Sequence, residues 1–181
     1  MTLSVINILD MVEAVGDEKT RKVLSGFSTA EEADSKPLNS DIELFLKKNA
    51  IQFAKERKSI TYLVCNEEQN DLLGYFTLTH KSIEISASGL SKTTIRKLEK
   101  HSKLNQETNT YSVSAFLIAQ FGKNYNIDEK SRISGDELMY YCEKELAEIR
   151  YRIGGNVEYL DCEADANLIR FYQDQQNFTL F

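Results

Sequence analysis

The largely apolar stretch of residues 111–122 constrains the fold of this chain more than any other feature. Its sequence, YSVSAFLIAQFG, places apolar side chains at adjacent positions and not only at alternate ones. A strand that is buried on both faces of a sheet shows this pattern. The stretch therefore predicts a central strand in a sheet that helices cover on both faces.

A helix, a strand and a second helix are predicted after this strand. Apolar residues recur at helical spacing from Leu138 to Ile153, and Gly154-Gly155 is typical of a helix end. The elements predicted next are a strand at 157–162, a helix at 166–175 and the beginning of a strand at 178–181. This last strand is expected to be truncated by the chain end.

Further elements are predicted before the central strand. They are a strand at 2–8 or a helix from there to Val15, a short helix and a loop within 16–38, a helix from Asn39-Ser40-Asp41 to about Lys58, a strand pair at 60–65 and 72–79 that extends toward Ser86, and a helix at 91–103. Strands and helices in this order predict an α/β (α+β) fold with a mixed, mostly antiparallel sheet.

Composition limits the class of protein. The chain has 181 residues, of which 41% are hydrophobic and 28% charged, as expected for a globular domain with a sizeable core. Neither a signal-peptide pattern nor an apolar run of roughly 18 residues, the length of a membrane span, is recognisable. We therefore expect a cytoplasmic protein with one domain, residues 1–181, and no membrane partner.

The three cysteines predict thiols and no metal site. Cys65, Cys142 and Cys162 each lie within an apolar pattern, and their number is odd. The sequence has no CxxC pair and no Cys/His spacing typical of zinc. Buried free thiols in a reducing compartment are therefore expected.

The segment Arg132-Ile133-Ser134-Gly135-Asp136-Glu137 precedes the helix that follows the central strand. The first N–H groups of a helix lack internal partners, and the helix dipole adds about half a positive charge there. Gly135 lets the backbone approach a phosphate closely, and Arg132 supplies a charged donor. A phosphate site is one interpretation. The other is a capping box, because Ser134 and Glu137 form S-x-x-E and use the same amide.

The chain from residue 112 onward resembles the GCN5-related N-acetyltransferase (GNAT) superfamily. In this family a Q/R-x-x-G-x-G/A loop follows the central strand, and the last helix often carries an Asn and a Phe-Tyr pair ahead of Gly-Phe. The matching residues here are Phe121-Gly122-Lys123, the segment from Arg132 to Glu137, Asn167, Phe171-Tyr172 and Asn177-Phe178. The chain most resembles the toxins that acetylate aminoacyl-tRNA. The resemblance implies the acyl-CoA N-acyltransferase fold.

The same resemblance implies acetyl-CoA as co-substrate. The backbone of Phe121 and Lys123 would bind the pantetheine arm in a gap between two splayed strands. Arg132 and the amides of Ile133, Ser134, Gly135, Asp136 and Glu137 would hold the pyrophosphate, and Asn167 is a further cofactor-binding position. No metal is implied.

The resemblance also assigns Tyr172 as the general acid in a direct transfer of acetyl to a primary amine. A phenol with a pKa of about 10 delivers its proton to a thiolate with a pKa of about 8.5 only where the site favours the transfer. A backbone N–H of the central strand would polarise the thioester carbonyl. The alternative is that Phe171 and Tyr172 are core aromatics.

Several positions depart from the family pattern. Glu137 replaces a small residue and brings a carboxylate near the expected phosphates. The loop from Lys123 to Arg132 is longer than usual, and Asn177 replaces a glycine, which is tolerated because Asn accepts left-handed backbone angles. Together with the early chain end, these departures keep a degenerate, non-catalytic CoA-binding relative as an alternative.

The sequence assigns neither the general base nor the acceptor. Glu84 and His80 are candidates near the central strand, and each is also typical of a solvated strand residue. An aminoacyl ester with a neutral amine would need no base.

One basic cluster is present, and its members are Lys92, Arg96, Lys97, Lys100 and Lys103. Positions 92, 96, 100 and 103 would share a helix face that could meet RNA phosphates, or that is simply solvated. A net charge of -6 disfavours binding of nucleic acid by charge alone. The expected partner is a small-molecule or aminoacyl amine acceptor; RNA is weakly supported, and a homodimer stays open.

Overall fold

The computed structural model describes residues 2–30 and 39–180. The described residues form two compact units, the first made of residues 2–30, 39–79 and 118–148 and the second of residues 80–117 and 149–180. The expected organisation as one domain stays a prediction. No helix in the described part of the chain is long and apolar enough to cross a membrane.

The described residues form a six-stranded, mostly antiparallel sheet. Its strands are β1 (Leu3–Asn7), β2 (Ile60–Asn66), β3 (Asp71–Ser86), β4 (Leu104–Asn105), β5 (Thr110–Lys123) and β6 (Glu158–Tyr159). The order is β1-β2-β3-β5-β4, and β6 pairs with β5. This pair is parallel and joins Phe116 to Glu158 and Leu117 to Tyr159. The predicted mixed α/β fold with a mostly antiparallel sheet is confirmed.

The helices lie close to their predicted places. They are α1 (Ile8–Val15), α2 (Asp17–Ser25), α3 (Ser40–Leu44), α4 (Ala50–Lys55), α5 (Lys92–Leu98), α6 (Gly135–Ile153) and α7 (Ala166–Arg170). Two π-helical turns, Phe45–Asn49 and Phe171–Gln175, extend α3 into α4 and continue α7. A 3-10 turn, Glu129–Ser131, precedes α6. Sequence periodicity could not distinguish a π turn from an α-helix, because each π segment has only five residues, too few to reveal a different period.

The first unit packs around an apolar cluster whose fully buried members include Ile8, Leu24, Phe27, Leu46 and Leu63. Tyr75 joins this cluster and donates a hydrogen bond from its hydroxyl to the Ile42 carbonyl at 2.6 Å. Gly122 near the end of β5 lies against the same residues, since a Cβ there would come within 2.8 Å of Ile42 Cγ2. A larger residue at 122 would therefore displace α3.

The second unit has its own cluster, formed by Ile85, Leu98, Tyr111 and Val113. The Phe116 N–H donates to the Val157 carbonyl at 2.9 Å and begins the pairing of β6 with β5. Gly155 precedes this pairing with a φ of +93°, and a Cβ there would come within 2.9 Å of the Phe116 ring. β6 can therefore approach β5 because glycine stands at 155.

Two predicted strands are corrected. The strand expected at 157–162 is limited to Glu158–Tyr159, and residues 178–180 form no strand. Cys162 follows the shortened strand and is exposed, contrary to the expected buried thiol, whereas Cys65 and Cys142 are buried as expected.

Two helix predictions are also corrected. The helix expected at 91–103 ends at Leu98, whose carbonyl accepts hydrogen bonds from the His101 and Ser102 N–H groups. Lys100 and Lys103 therefore lie beyond the helix, and the predicted basic helix face is not formed. Asn39, expected as part of a capping signal, has a left-handed backbone (φ 60°) and makes no capping side-chain bond. Pro37 and the rest of 31–38 lie outside the described residues.

Candidate functional site

A buried asparagine that the sequence analysis missed holds the start of the connection between β5 and α6. Asn124 donates from Nδ2 to the Leu72 carbonyl at 2.7 Å and accepts from the Ser28 N–H at 2.9 Å and the Asn126 N–H at 3.0 Å. Its own N–H donates to the Leu73 carbonyl at 2.8 Å. The partners are up to about a hundred residues away in sequence, so no local pattern could have identified this role.

Tyr125 brings two of the predicted cofactor-binding residues together. Lys123 Nζ lies 5.5 Å from the centre of its ring, and the Arg132 guanidinium lies 5.0 Å from it. Arg132 also donates from Nη2 to the Tyr125 carbonyl at 2.9 Å. Neither cation forms an ion pair with a carboxylate of the described residues, so their charge is available to an anion. Phe121 precedes them on β5 and is half-buried.

The start of α6 forms the capping box that the sequence left as an alternative. Ser134 Oγ accepts from the Glu137 N–H at 3.1 Å, and Glu137 Oε2 accepts from the Ser134 N–H at 2.9 Å. Ile133 and Leu138, on either side of these residues, are both buried, as in a hydrophobic staple. The bond from the Ser134 backbone holds the pKa of the Glu137 carboxyl below its usual value. Gly135 and Asp136 lie between the two residues of this box.

Tyr172 lies in the π-helical turn of the second unit, between two aromatic rings. The ring of Phe171 is 5.0 Å away and that of Phe178 is 6.0 Å away, both edge-on. The Phe178 N–H donates to the Tyr172 carbonyl at 2.9 Å, which Asn177 allows by taking a left-handed backbone with φ of 59°. π-helical turns are rare in proteins, and those that occur are often at functional sites.

A cavity of about 480 Å³ in the second unit is lined by Tyr172. Its apolar wall includes Ile83, Ile85, Leu98, Val157, Ile169 and Phe178. Lys97, Lys100 and His101 supply basic groups to the same cavity. A volume of this size with an apolar wall and a few polar groups is typical of a small-molecule site.

The other sequence candidates do not line this cavity. Asn167 is exposed on α7, and its N–H donates to Asp165 Oδ1 at 2.9 Å. Glu84 accepts from Thr110 Oγ1 at 2.8 Å, and hydrogen bonds from Ser112 and Thr110 lower its pKa, which makes it a weaker base. His80 Nε2 lies 3.1 Å from Ser114 Oγ, beside the ring of Phe116. Within the described ranges, no cluster of three or more His, Cys, Asp or Glu residues could hold a metal ion.

No family model matches the sequence, and no curated protein matches it. Solved structures do match. AtaT in complex with acetyl-methionyl-tRNAfMet superposes with a TM-score of 0.64 at 13% identity, over 96% of this chain and 85% of that one. A tyrosine-to-phenylalanine mutant of KacT gives 0.65 at 14% identity, over 97% and 86%. AtaTR bound with acetyl-CoA gives 0.56 at 16% identity, over 95% and 82%.

These comparisons establish the fold. AtaT and KacT have the fold of the GNAT acetyltransferases, and the present structure matches theirs over nearly its whole length. The chain therefore has the GNAT fold, and the resemblance seen in the sequence is confirmed at this level. At 13–16% identity the match does not assign functional roles to individual residues of this chain.

Proposed function

We propose that this chain is an N-acetyltransferase that moves an acetyl group directly from acetyl-CoA to a primary amine. The observation that carries the proposal is Tyr172, which lines a cavity of about 480 Å³ in a chain with the GNAT fold. The cavity is large enough for a small-molecule substrate, and Tyr172 lies in its wall. An acetyl-CoA-bound structure among the matches supports the choice of co-substrate.

The first unit offers groups that suit the phosphates and the pantetheine arm of acetyl-CoA. Lys123 and Arg132 are cations without carboxylate partners among the described residues, and they precede the start of the 19-residue helix α6. Gln120 Oε1, next to Phe121 on β5, is a buried acceptor without a hydrogen-bond partner in the described structure. An amide N–H of pantetheine would satisfy it.

Acetyl-CoA supplies the thioester that the acceptor amine attacks. In this proposal Phe121 and Lys123 bind the pantetheine arm through their backbone, and Arg132 with the helix-end amides from Ile133 to Glu137 binds the pyrophosphate. Asn167 is a further cofactor-binding residue in this proposal.

Tyr172 acts as the general acid and gives its hydroxyl proton to the departing thiolate, and the proton that the acylated nitrogen loses restores the hydroxyl. Phe171 and Phe178 hold its ring from two sides. Glu84 is a weak candidate for the base, because its pKa is lowered. We therefore propose that the amine enters as its neutral form.

Aminoacyl-tRNA is the specific acceptor that we favour. Lys97, Lys100 and His101 place basic groups around the cavity that Tyr172 lines, and a matching structure holds an acetylated aminoacyl-tRNA. An aminoacyl ester fits an apolar cavity with a basic rim, because its side chain is often apolar and its nucleic acid is anionic.

The first test is calorimetric titration with acetyl-CoA, followed by thiol release with a panel of amines. Tyr172→Phe should lower turnover by about 10²-fold or more with an unchanged Kd for acetyl-CoA, as expected for loss of a general acid. Tyr151→Phe, at a position 88% exposed, is the matched control and should leave both values unchanged. Binding without thiol release by any amine, tRNA included, would identify a non-catalytic CoA-binding protein instead.

The second test concerns the acceptor. The double variant Lys97→Glu/Lys100→Glu should abolish acetylation of aminoacyl-tRNA and retain thiol release with a small amine. Lys22→Glu on α2 changes the charge elsewhere on the surface and should have no effect on either substrate. Equal loss of both activities in the double variant would mean that the cavity was damaged and that no tRNA contact was removed.

A further inference from the structure

The carboxylate of Glu137 bonds across the helix end at which an anion would bind. Its Oε2 accepts the Ser134 N–H at 2.9 Å, while the Glu137 N–H donates to Ser134 Oγ at 3.1 Å. The Leu138 N–H then donates to the Ser134 carbonyl at 3.1 Å and begins the helical pattern. Two of the five amides expected to face a diphosphate, those of 134 and 137, are thus engaged by the chain itself.

The negative charge of this carboxylate disfavours a bound diphosphate, as does its hydrogen bond to the Ser134 amide. Hydrogen bonds from Ser134, chiefly from its backbone, favour the ionised form of Glu137 and lower its pKa. A diphosphate at the same helix end would bring further negative charge beside it, and like charges at close range repel. Glu137 therefore uses one amide of the helix end, that of Ser134, with which a bound diphosphate would otherwise interact.

We propose that Glu137 is an intramolecular competitor of the diphosphate of acetyl-CoA and that it sets the affinity for this co-substrate. The proposal rests on the proposed function. The Glu137 side chain must leave the Ser134 amide when the diphosphate binds, so that one residue stabilises the free protein and weakens the complex. Removal of its carboxylate should therefore have opposite effects on the stability of the free protein and on the binding of the co-substrate.

The test is calorimetric titration of CoA and of pantetheine, which lacks the phosphates, into the wild type and three variants. Glu137→Ala should lower the Kd for CoA by about tenfold, equivalent to about 1.4 kcal/mol. Glu137→Gln should lower it by less, because its amide oxygen still accepts from Ser134. The Kd for pantetheine should stay within about twofold in every variant.

Ser134→Ala is the matched control for a loosened helix end. It breaks the other bond of the capping box and keeps the carboxylate of Glu137. The melting temperature of the free protein should therefore fall, as in Glu137→Ala. The affinity for CoA should not increase as much as in Glu137→Ala. Equal tightening by Ser134→Ala would overturn the proposal in favour of a general effect of helix fraying.

The remaining outcomes separate this inference from the proposed function. Wild-type binding of CoA that Glu137→Ala leaves unchanged, with a lowered melting temperature, would show that the residue is only a helix cap. Absence of CoA and pantetheine binding in all four proteins, folded as judged by circular dichroism, would overturn the proposed function and this inference with it.

Discussion

The start of α6 and the turn that carries Tyr172 are built by different means. At the start of α6, the bonds join residues three or four positions apart, and Ser134 and Glu137 satisfy one another. The Tyr172 turn depends on a π-helical step, a left-handed Asn177 and a ring from Phe178. A helix start of the first kind can be predicted from four letters of sequence. A side chain whose position depends on a change from α-helix to π-helix can be located only with the structure.

The largest expected effect on stability is at Asn124, which holds the connection between β5 and α6 through hydrogen bonds to residues distant in sequence. Asn124→Leu would leave the Ser28 and Asn126 N–H groups and the Leu72 carbonyl without their partner. Unpaired buried groups cost about 1–3 kcal/mol each, so we expect the free energy of unfolding to fall by about 3 kcal/mol.

Chemical denaturation measures this loss. Asn126→Ala is the matched control, because the exposed side chain of Asn126 donates only to the Gly26 carbonyl, at 3.2 Å. It should cost well under 1 kcal/mol. Equal losses for the two variants would show that the connection does not depend on the buried asparagine.

This contrast also explains what the sequence could predict. Apolar periodicity located β5 within one residue at each end and α6 within three residues at its start, because burial on a regular element leaves a regular pattern. Sequence reasoning also gave a capping box of Ser134 and Glu137, from the pattern S-x-x-E, as one of two interpretations. It missed Asn124 and the cation contacts of Tyr125, and it extended α5 past Leu98. The bonds of Asn124 to Ser28 and Leu72 depend on which distant segments meet, and a single sequence does not specify this.

The next largest effect tests the Tyr172 turn. Asn177 has a φ of 59°, a conformation that costs a residue with a Cβ about 1–2 kcal/mol unless its side chain is Asn or Asp. Asn177→Ala should therefore lower the free energy of unfolding by about 1 kcal/mol or more, and Asn177→Gly should restore it. Urea titration of the three proteins decides this, and an equal loss in the glycine variant would locate the effect in the Asn side chain.

A smaller loss is expected at the start of α6. Ser134→Ala removes the acceptor of the Glu137 N–H, and loss of such a cap costs about 1 kcal/mol. The helix end is exposed, so water replaces part of the lost bond. Thermal unfolding of Ser134→Ala and of Ser134→Thr, which keeps the hydroxyl, measures the effect. A threonine variant as unstable as the alanine variant would contradict the assigned role of the hydroxyl.

The smallest effect is a pH dependence that comes from Glu137. The pKa of its carboxyl is lower in the folded protein than its usual value of about 4.3, chiefly because of the Ser134 backbone bond. A lowered folded pKa contributes stability that is present above the unfolded pKa and is lost as pH falls through the folded pKa.

Wild type should therefore be slightly more stable than Glu137→Gln at pH 7, and the difference should disappear in acid, below about pH 4. Exposure of the side chain keeps this difference to a few tenths of a kcal/mol. Parallel urea titrations at pH 7 and in the acid range measure it. A difference that stays constant in acid would show that the capping bond depends on the shape of the Glu137 side chain and not on its charge. The start of α6 would then resemble the Tyr172 turn, because both would depend on geometry alone.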